Sequence, residues 1–337
     1  MTDDRPGRYR SFDLLSHGAR AAEVSGFDGV VLPFDPAGEE PLVAAASLAG
    51  VTSRLQVTAG VPTSLATPVY VAKLAVTFQR WSGDRLGWWI DADGPGAGPA
   101  YGDHLEGADR HERDLEFLRV ARAVFSTSPL DHRGRFFTVE GGGFAPPLSG
   151  RPFPAVAVAG ASERAVELAA AVGDRLVAPG LRSGDEVADL ARRLRERAAA
   201  AGRRADLALE LAVVAREDRD EAVAAAGGAD AAPGAGAAPG SDIANGAGAA
   251  GQTNAAAGAA DARARRNGVS ANGAGGDPGA PGVLVGSYRE VAARLVELRR
   301  AGAAAVVLRL DPVVEELYRF GHFVRPWLED EVARHVA

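Results

Sequence analysis

The run G-V-V-L-P-F at 29–34, followed by E-P-L-V-A-A-A-S-L-A-G-V-T at 40–52 and L-Q-V-T-A-G-V at 55–61, decides the fold class. A short β-branched stretch leads into an alanine- and leucine-rich stretch of helical length, and a second β-branched stretch follows. Strands joined through a helix are the unit of a parallel sheet, because parallel neighbours need a long crossover. Working outward, the unit recurs. A helix is expected at 69–81, just after Pro68, where proline is tolerated. R-L-G-W-W-I-D-A at 85–92 reads as a strand, and 110–125 as a helix with Leu115, Leu118, Val120 and Ala121 on one side. Residues 132–140 read as a small β excursion. Strands at 155–160, 175–178 and 207–215, each with a helix after it, come next; then a helix at 288–301, a strand at 304–310 and a helix from Val313.

Seven strands with a helix after nearly every one favour a closed (β/α) barrel over a doubly wound sheet, since no glycine-rich dinucleotide fingerprint follows a first strand. An eighth strand would precede a helix expected at 11–25, yet the ten residues there are charged and contain a proline. The first barrel strand is therefore expected to be missing, leaving the strand at 29–34 beside an open edge. Between 227 and 282, 35 of 56 residues are Ala or Gly, and Ile243 and Val269 are the only large aliphatics. Such a segment cannot offset an ordering entropy of about 1–2 kcal/mol per residue, and it reads as a disordered insert. The expected organisation is a first barrel part over 1–226, the insert over 227–282 and a last barrel part over 283–337.

Composition narrows the chemistry. The chain has no cysteine, which excludes a disulfide framework, a thiolate zinc site and a cysteine nucleophile, and suits a reducing cytoplasm. No signal-type apolar core opens the sequence, and no stretch reaches the roughly 18 apolar residues that span a bilayer. A cytoplasmic protein with no membrane partner is expected. The net charge of −7, with Arg and Glu mixed along the same helices, offers no basic stripe for nucleic acid. The histidines at 17, 104, 111, 132, 322 and 335 lack metal-ligand spacing, so no metal is expected.

Collinear segments carry a resemblance. They are G-R-Y at 7–9, G-F-D-G-V-V-L-P at 26–33, E-P-L-V-A-A-A-S-L-A at 40–49 and T-S-R-L-Q-V at 52–57. D-R-H-E-R-D-L-E-F-L-R-V at 109–120, G-R-F-F-T-V-E-G at 134–141 and R-P-F-P at 151–154 continue them. L-V-G-S-Y-R-E-V-A-A-R-L at 284–295 and E-E-L-Y-R-F at 315–320 close the series. Together they resemble the bacterial luciferase-like flavin monooxygenases, in the alkanesulfonate monooxygenase branch. The resemblance implies a TIM barrel with its site at the carboxyl ends of the strands, where reduced FMN from a separate flavin reductase meets oxygen and a small organic substrate. A deazaflavin is the alternative cofactor, and a homo- or heterodimer the expected assembly. In relatives G-R-Y follows strand one, consistent with a first strand missing here.

Carried over residue by residue, the family's working groups mostly change. Its cysteine before an acidic pair falls on Gly38, ahead of Glu39 and Glu40; the Arg and His of its strand seven fall on Glu210 and Ala212. Its strand-four asparagine and threonine fall near Trp89 and Ala92, and its tyrosine before a proline falls on Asp311. Its loop arginine would lie in the insert, among Arg263, Arg265 and Arg266. What remains is a phosphate framework implied by the resemblance: Arg110 and His111 at the start of a helix, with Ala92 nearby, and the turn Ala159-Gly160-Ala161-Ser162. Amides at a helix start plus one hydroxyl can bind an anion, although Ser162 is also a sufficient N-cap ahead of Glu163. Asp91, Glu210 and Asp311 are the candidate substrate contacts, with Asp93 beside Asp91 at the strand's carboxyl end. Trp88 and Trp89 must point to opposite faces of their strand. Tyr318 and Phe320 read as core. Two functions follow: a flavin-dependent monooxygenase acting on something other than an alkanesulfonate, or a catalytically inactive barrel subunit paired with an active homologue. With a glutamate where the family uses arginine, a neutral or cationic substrate is expected.

Overall fold

The computed structural model describes residues 11–94, 96–180, 183–229 and 282–333. Strands β1 (Gly29–Leu32), β2 (Gln56–Gly60), β3 (Leu86–Asp91), β6 (Ala155–Ala159), β7 (Arg175–Pro179), β8 (Asp206–Arg216) and β10 (Ala303–Arg309) form one parallel sheet in that order. All seven strands expected from the sequence are present. A hairpin of β4 (Leu130–Arg133) and β5 (Thr138–Gly142) forms the β excursion. The sheet curls as a barrel wall. Among the described residues β1 pairs on one side only, with β2, and no strand joins it to β10. The expected absence of a first strand falls on residues 1–10, outside the described residues.

The helices follow the strands as the alternation requires: α1 (Ser11–Val24), α2 (Pro41–Val51), α3 (Pro68–Ser82), α4 (Gly107–Ser126), α5 (Glu163–Val172), α6 (Gly184–Ala200), α7 (Arg219–Ala229), α8 (Tyr288–Arg300), α9 (Val313–Arg319) and α10 (Arg325–Ala333). Their boundaries are written in local chemistry. Thr67 caps α3 by accepting from the Tyr70 amide, Pro68 takes the first turn, and Gly83 ends the helix at φ 70°. Ser183 and Ser287 form reciprocal capping boxes with Glu186 and Glu290 at the starts of α6 and α8. The main apolar core lies between the sheet's outer face and the helices. Trp88 is fully buried there against Phe117 of α4 and Phe153, with ring centroids 6.4 and 4.9 Å away. Its neighbour Trp89 turns to the opposite face, in a smaller cluster with Ala159, Val177 and Ala208 that fills the barrel interior. Only glycine fits at Gly60, where a Cβ would stand 2.3 Å from the Phe34 amide nitrogen.

Two points differ from the sequence reading. Of the segment read as an insert over 227–282, α7 takes the first residues to Ala229 and a strand begins at Gly282, while 230–281 lies outside the described residues. That strand, β9 (Gly282–Ser287), is an additional parallel partner of β8. Finally, Phe320 is core but Tyr318 is 51% exposed. Residues two apart on a helix lie on nearly opposite faces, so the burial of Phe320 turns Tyr318 outward.

Candidate active site at the carboxyl ends of the strands

Barrel chemistry sits where the strands end, so the inward side chains one step above the Trp89 layer define the mouth. On β3 that residue is Asp91, and on β8 it is Glu210. Glu210 stands opposite Pro179 of β7 and Val307 of β10, at the level where β8 exchanges one partner for another: β7 ends there, and β9 begins opposite Leu211. The Arg309 guanidinium on β10 lies 3.9 Å from the Glu210 carboxylate. Burial pushes the Glu210 carboxyl above its ordinary range; Arg309 opposes the shift and the negative charge of Asp91 adds to it. Asp91, which keeps an exposed edge at the end of β3, is also raised, first by its partial withdrawal from water, with the Gly94 amide and Arg110 opposing and the charge of Asp93 reinforcing. The mouth is therefore an acidic surface, with Arg309 balancing Glu210 and Arg110 balancing Asp91.

Beside Asp91 a small cavity of about 60 Å³ opens between β3 and α4, with Phe34, Trp89, Asp91, Arg110 and Asp114 in its wall. Beneath it Arg113 holds Asp103 at 2.6 Å, and the Thr63 hydroxyl donates to Asp114. Burial raises the Asp114 carboxyl, with Thr63, Arg113 and Arg110 opposing the shift. The cavity is far below the roughly 300–1,000 Å³ of a pocket for a drug-sized ligand.

The sequence-derived site residues divide into groups. Arg110 donates to the carbonyl oxygens of Gly94 and, at 3.0 Å, Asp91, and its Nε lies 3.9 Å from Asp114, so it clamps the loop leaving β3. His111 follows it, half-buried on α4. The Ala92 amide donates to the Ala159 carbonyl at 3.0 Å, tying that loop to β6. Ser162 is the N-cap of α5, accepting from Ala165 at 3.2 Å. The donors of the Gly160-Ala161-Ser162 turn are taken from within the chain: the Asp93 carboxylate accepts from the Ala161 amide at 2.7 Å, the Ser162 amide at 2.9 Å and the Ser162 hydroxyl. Gly160, at φ 148°, lets Asp93 approach, since a Cβ there would meet the Asp93 carboxylate at 2.6 Å. Asp311 is exposed just past β10, and among the described residues no hydrogen bond or ion pair joins it to Glu210 or Asp91. Gly38 lies in a turn closed on Asp35, and Glu40, half of the acidic pair, caps α2 through the Val43 amide at 2.6 Å.

Two participants escaped the sequence reading: Arg309 as the partner of Glu210, and Asp93 as the occupant of the α5 start. Asp93 carried a signal, its position at the end of a barrel strand, but its target lies 69 residues away along the chain. Among the described residues no group of three or more His, Asp or Glu side chains is gathered to hold a metal ion, and no helix is long and apolar enough to cross a membrane.

Solved structures share this architecture. The EDTA monooxygenase of Chelativorans sp. BNC1 superposes with a TM-score of 0.74 at 19% identity, covering 95% of this chain and 87% of its own. The oxygenating constituent of 3,6-diketocamphane monooxygenase from Pseudomonas putida, solved with FMN, gives 0.68 at 18% identity over 96% of this chain and 95% of its own. An F420-dependent secondary alcohol dehydrogenase, solved with an F420-acetone adduct, gives 0.68 at 18% identity over 95% and 96%. At these identities the likeness establishes the fold. The family is established by sequence: the family model described as luciferase-like monooxygenase matches residues 3–305, from before α1 into the start of β10, and the chain belongs to that family.

Proposed function

We propose that this protein is a flavin-dependent monooxygenase that uses reduced flavin delivered by a separate reductase and acts on a neutral or cationic small organic molecule rather than an alkanesulfonate. The family match supports the reaction class. The observation that carries the substrate class is the mouth itself, where Asp91 and Glu210 face the interior and Arg309 is already paired with Glu210. A sulfonate entering this mouth meets two carboxylates and an arginine whose charge is engaged, while an ammonium or amidinium group gains from the same field. The chemistry of oxygen activation belongs to the flavin. The protein's part is to shape the mouth and to set Glu210 and Asp91 where burial raises both carboxyls above their ordinary range.

Similar structures are named with FMN in one case and with F420 in another, so FMN and a deazaflavin both remain within this proposal. A dimer is part of the reading: Val43 of α2 and Tyr70, Leu74 and Trp81 of α3 are exposed apolar groups on neighbouring helices, the composition of a buried interface. So is a cytoplasmic setting.

The test is a fluorescence titration of the purified protein with FMN and with a deazaflavin, followed by oxygen consumption assays with reduced flavin and matched sulfonate, alcohol and amine substrates. Binding of one flavin, with oxygen uptake coupled to the amine or alcohol and no sulfite release from the sulfonate, is the expected result. Sulfite release at ordinary enzymatic rates refutes the substrate assignment.

A second reading, a barrel that binds no flavin and pairs with an active homologue, is favoured by one observation: Asp93 fills the turn that the resemblance assigns to a phosphate. Absence of binding to any flavin in the titration would select it.

A further inference from the structure

A flavin phosphate carries a charge near −2 and needs unengaged donors. The two elements of the phosphate framework are both turned toward the loop that leaves β3. Asp93 places its carboxylate on the Ala161 and Ser162 amides and the Ser162 hydroxyl, the position an incoming phosphate oxygen would occupy. Arg110 fixes that loop by donating to the Gly94 and Asp91 carbonyls on either side of Asp93. The glycine at 160 completes the arrangement, because any Cβ would push the carboxylate away. As these residues stand they do not fit a phosphate: its oxygens find no donor at the turn and meet a carboxylate of like charge.

We propose that Asp93 is a built-in occupant of the phosphate position and sets cofactor specificity, so that this barrel binds the ring and ribityl portion of a flavin without drawing affinity from a terminal phosphate. The inference rests on the flavin reading given above and deepens it. Asp93 acts as a specificity-determining residue, and Arg110 as the residue that positions it.

Oxidised riboflavin and FMN, titrated separately into the wild-type protein and followed by quenching of flavin fluorescence, test it. In the wild type the two dissociation constants should agree within about threefold or favour riboflavin. Asp93→Ala vacates the turn and should tighten FMN at least tenfold relative to riboflavin. Asp93→Asn keeps an acceptor on the Ala161 and Ser162 amides, guards against loss of the loop, and should give a smaller gain of the same sign. The inference is overturned by tenfold tighter FMN in the wild type, or by a riboflavin-to-FMN ratio that does not move in folded Asp93→Ala and Asp93→Asn. In both cases the flavin reading survives, since a flavin is bound. No binding of riboflavin or FMN by any of the three proteins overturns this inference, and if a deazaflavin titrated alongside them does not bind either, it overturns the flavin reading as well.

Discussion

Replacing Glu210 by Gln separates the cost of the carboxylate from its shape. Glu210 is 23% exposed, and its one attractive charged neighbour, Arg309, is 3.9 Å away. At an effective dielectric near 20 such a pair is worth about 4 kcal/mol, but Arg309 is 54% exposed and solvent screening reduces the figure to about 1 kcal/mol. Against this stand the burial of the carboxylate and repulsion from Asp91, and their sum raises the Glu210 pKa. The sign follows from linkage: with the folded pKa above the unfolded one, the native state holds more protons between the two values, so stability declines as pH rises through that window. Glu210→Gln should therefore leave stability unchanged at pH 5 and raise it by about 0.5–1 kcal/mol at pH 8, with a flatter pH dependence. Arg309→Gln should have the opposite sign, costing about 1 kcal/mol at pH 8. Urea unfolding of the three proteins at the two pH values decides. A loss of 1 kcal/mol or more in Glu210→Gln at pH 8 would show that the carboxylate is held favourably, and the argument for a mouth that disfavours anions would fail.

Glu23 of α1 accepts from the amides of Ser53, Arg54 and Leu55, joining α1 to the entry of β2, and the Arg54 amide leads in holding its carboxyl below the ordinary range. Glu23→Ala should cost about 1–2 kcal/mol in urea unfolding, and a neutral result would show the contacts to be replaceable by water. Glu116 plays the same part for the hairpin: burial disfavours its charge, yet the Phe136 and Phe137 amides and His132 outweigh burial and depress its pKa. Its stabilisation is present above the unfolded pKa and lost as pH falls through the lower folded value. Exchange protection of the Phe136 and Phe137 amides should therefore persist at pH 6, fall well below pH 4.5, and be weak at both in Glu116→Gln. In the mouth, Glu210→Arg with Ala212→His should strengthen binding of a short alkanesulfonate by at least tenfold before any sulfite is released, because Gly38 and Asp311 still differ from the family pattern. Calorimetric titration reads the gain, and unchanged affinity would count against a dominant role for Glu210.

The strands were legible because each is short, β-branched and bounded by turn residues, and because a strand covered on both faces shows a continuous apolar run. The Trp88-Trp89 pair went further: strict alternation requires opposite faces, and the structure sends one tryptophan to the helices and the other to the interior. Local rules failed where pairing is decided at a distance. G-V-L-V-G-S makes a strand only because β8 is 11 residues long and outlasts β7, leaving an edge above Glu210 for β9 to occupy. Asp93 is harder still. Nothing within its own loop marks it as a helix cap; its role exists because the sheet sets the end of β3 beside the end of β6, with Ala159 opposite Asp91, and so brings the α5 start within reach. The same register aims inward the alternate residues that end in Asp91 on β3 and Glu210 on β8, each beyond the apolar layer of Trp89 and Ala208. Sequence could say which residues are acidic. Whether they oppose each other, cap a helix or pair with an arginine is a property of the barrel, and that is where the chemistry of this site is determined.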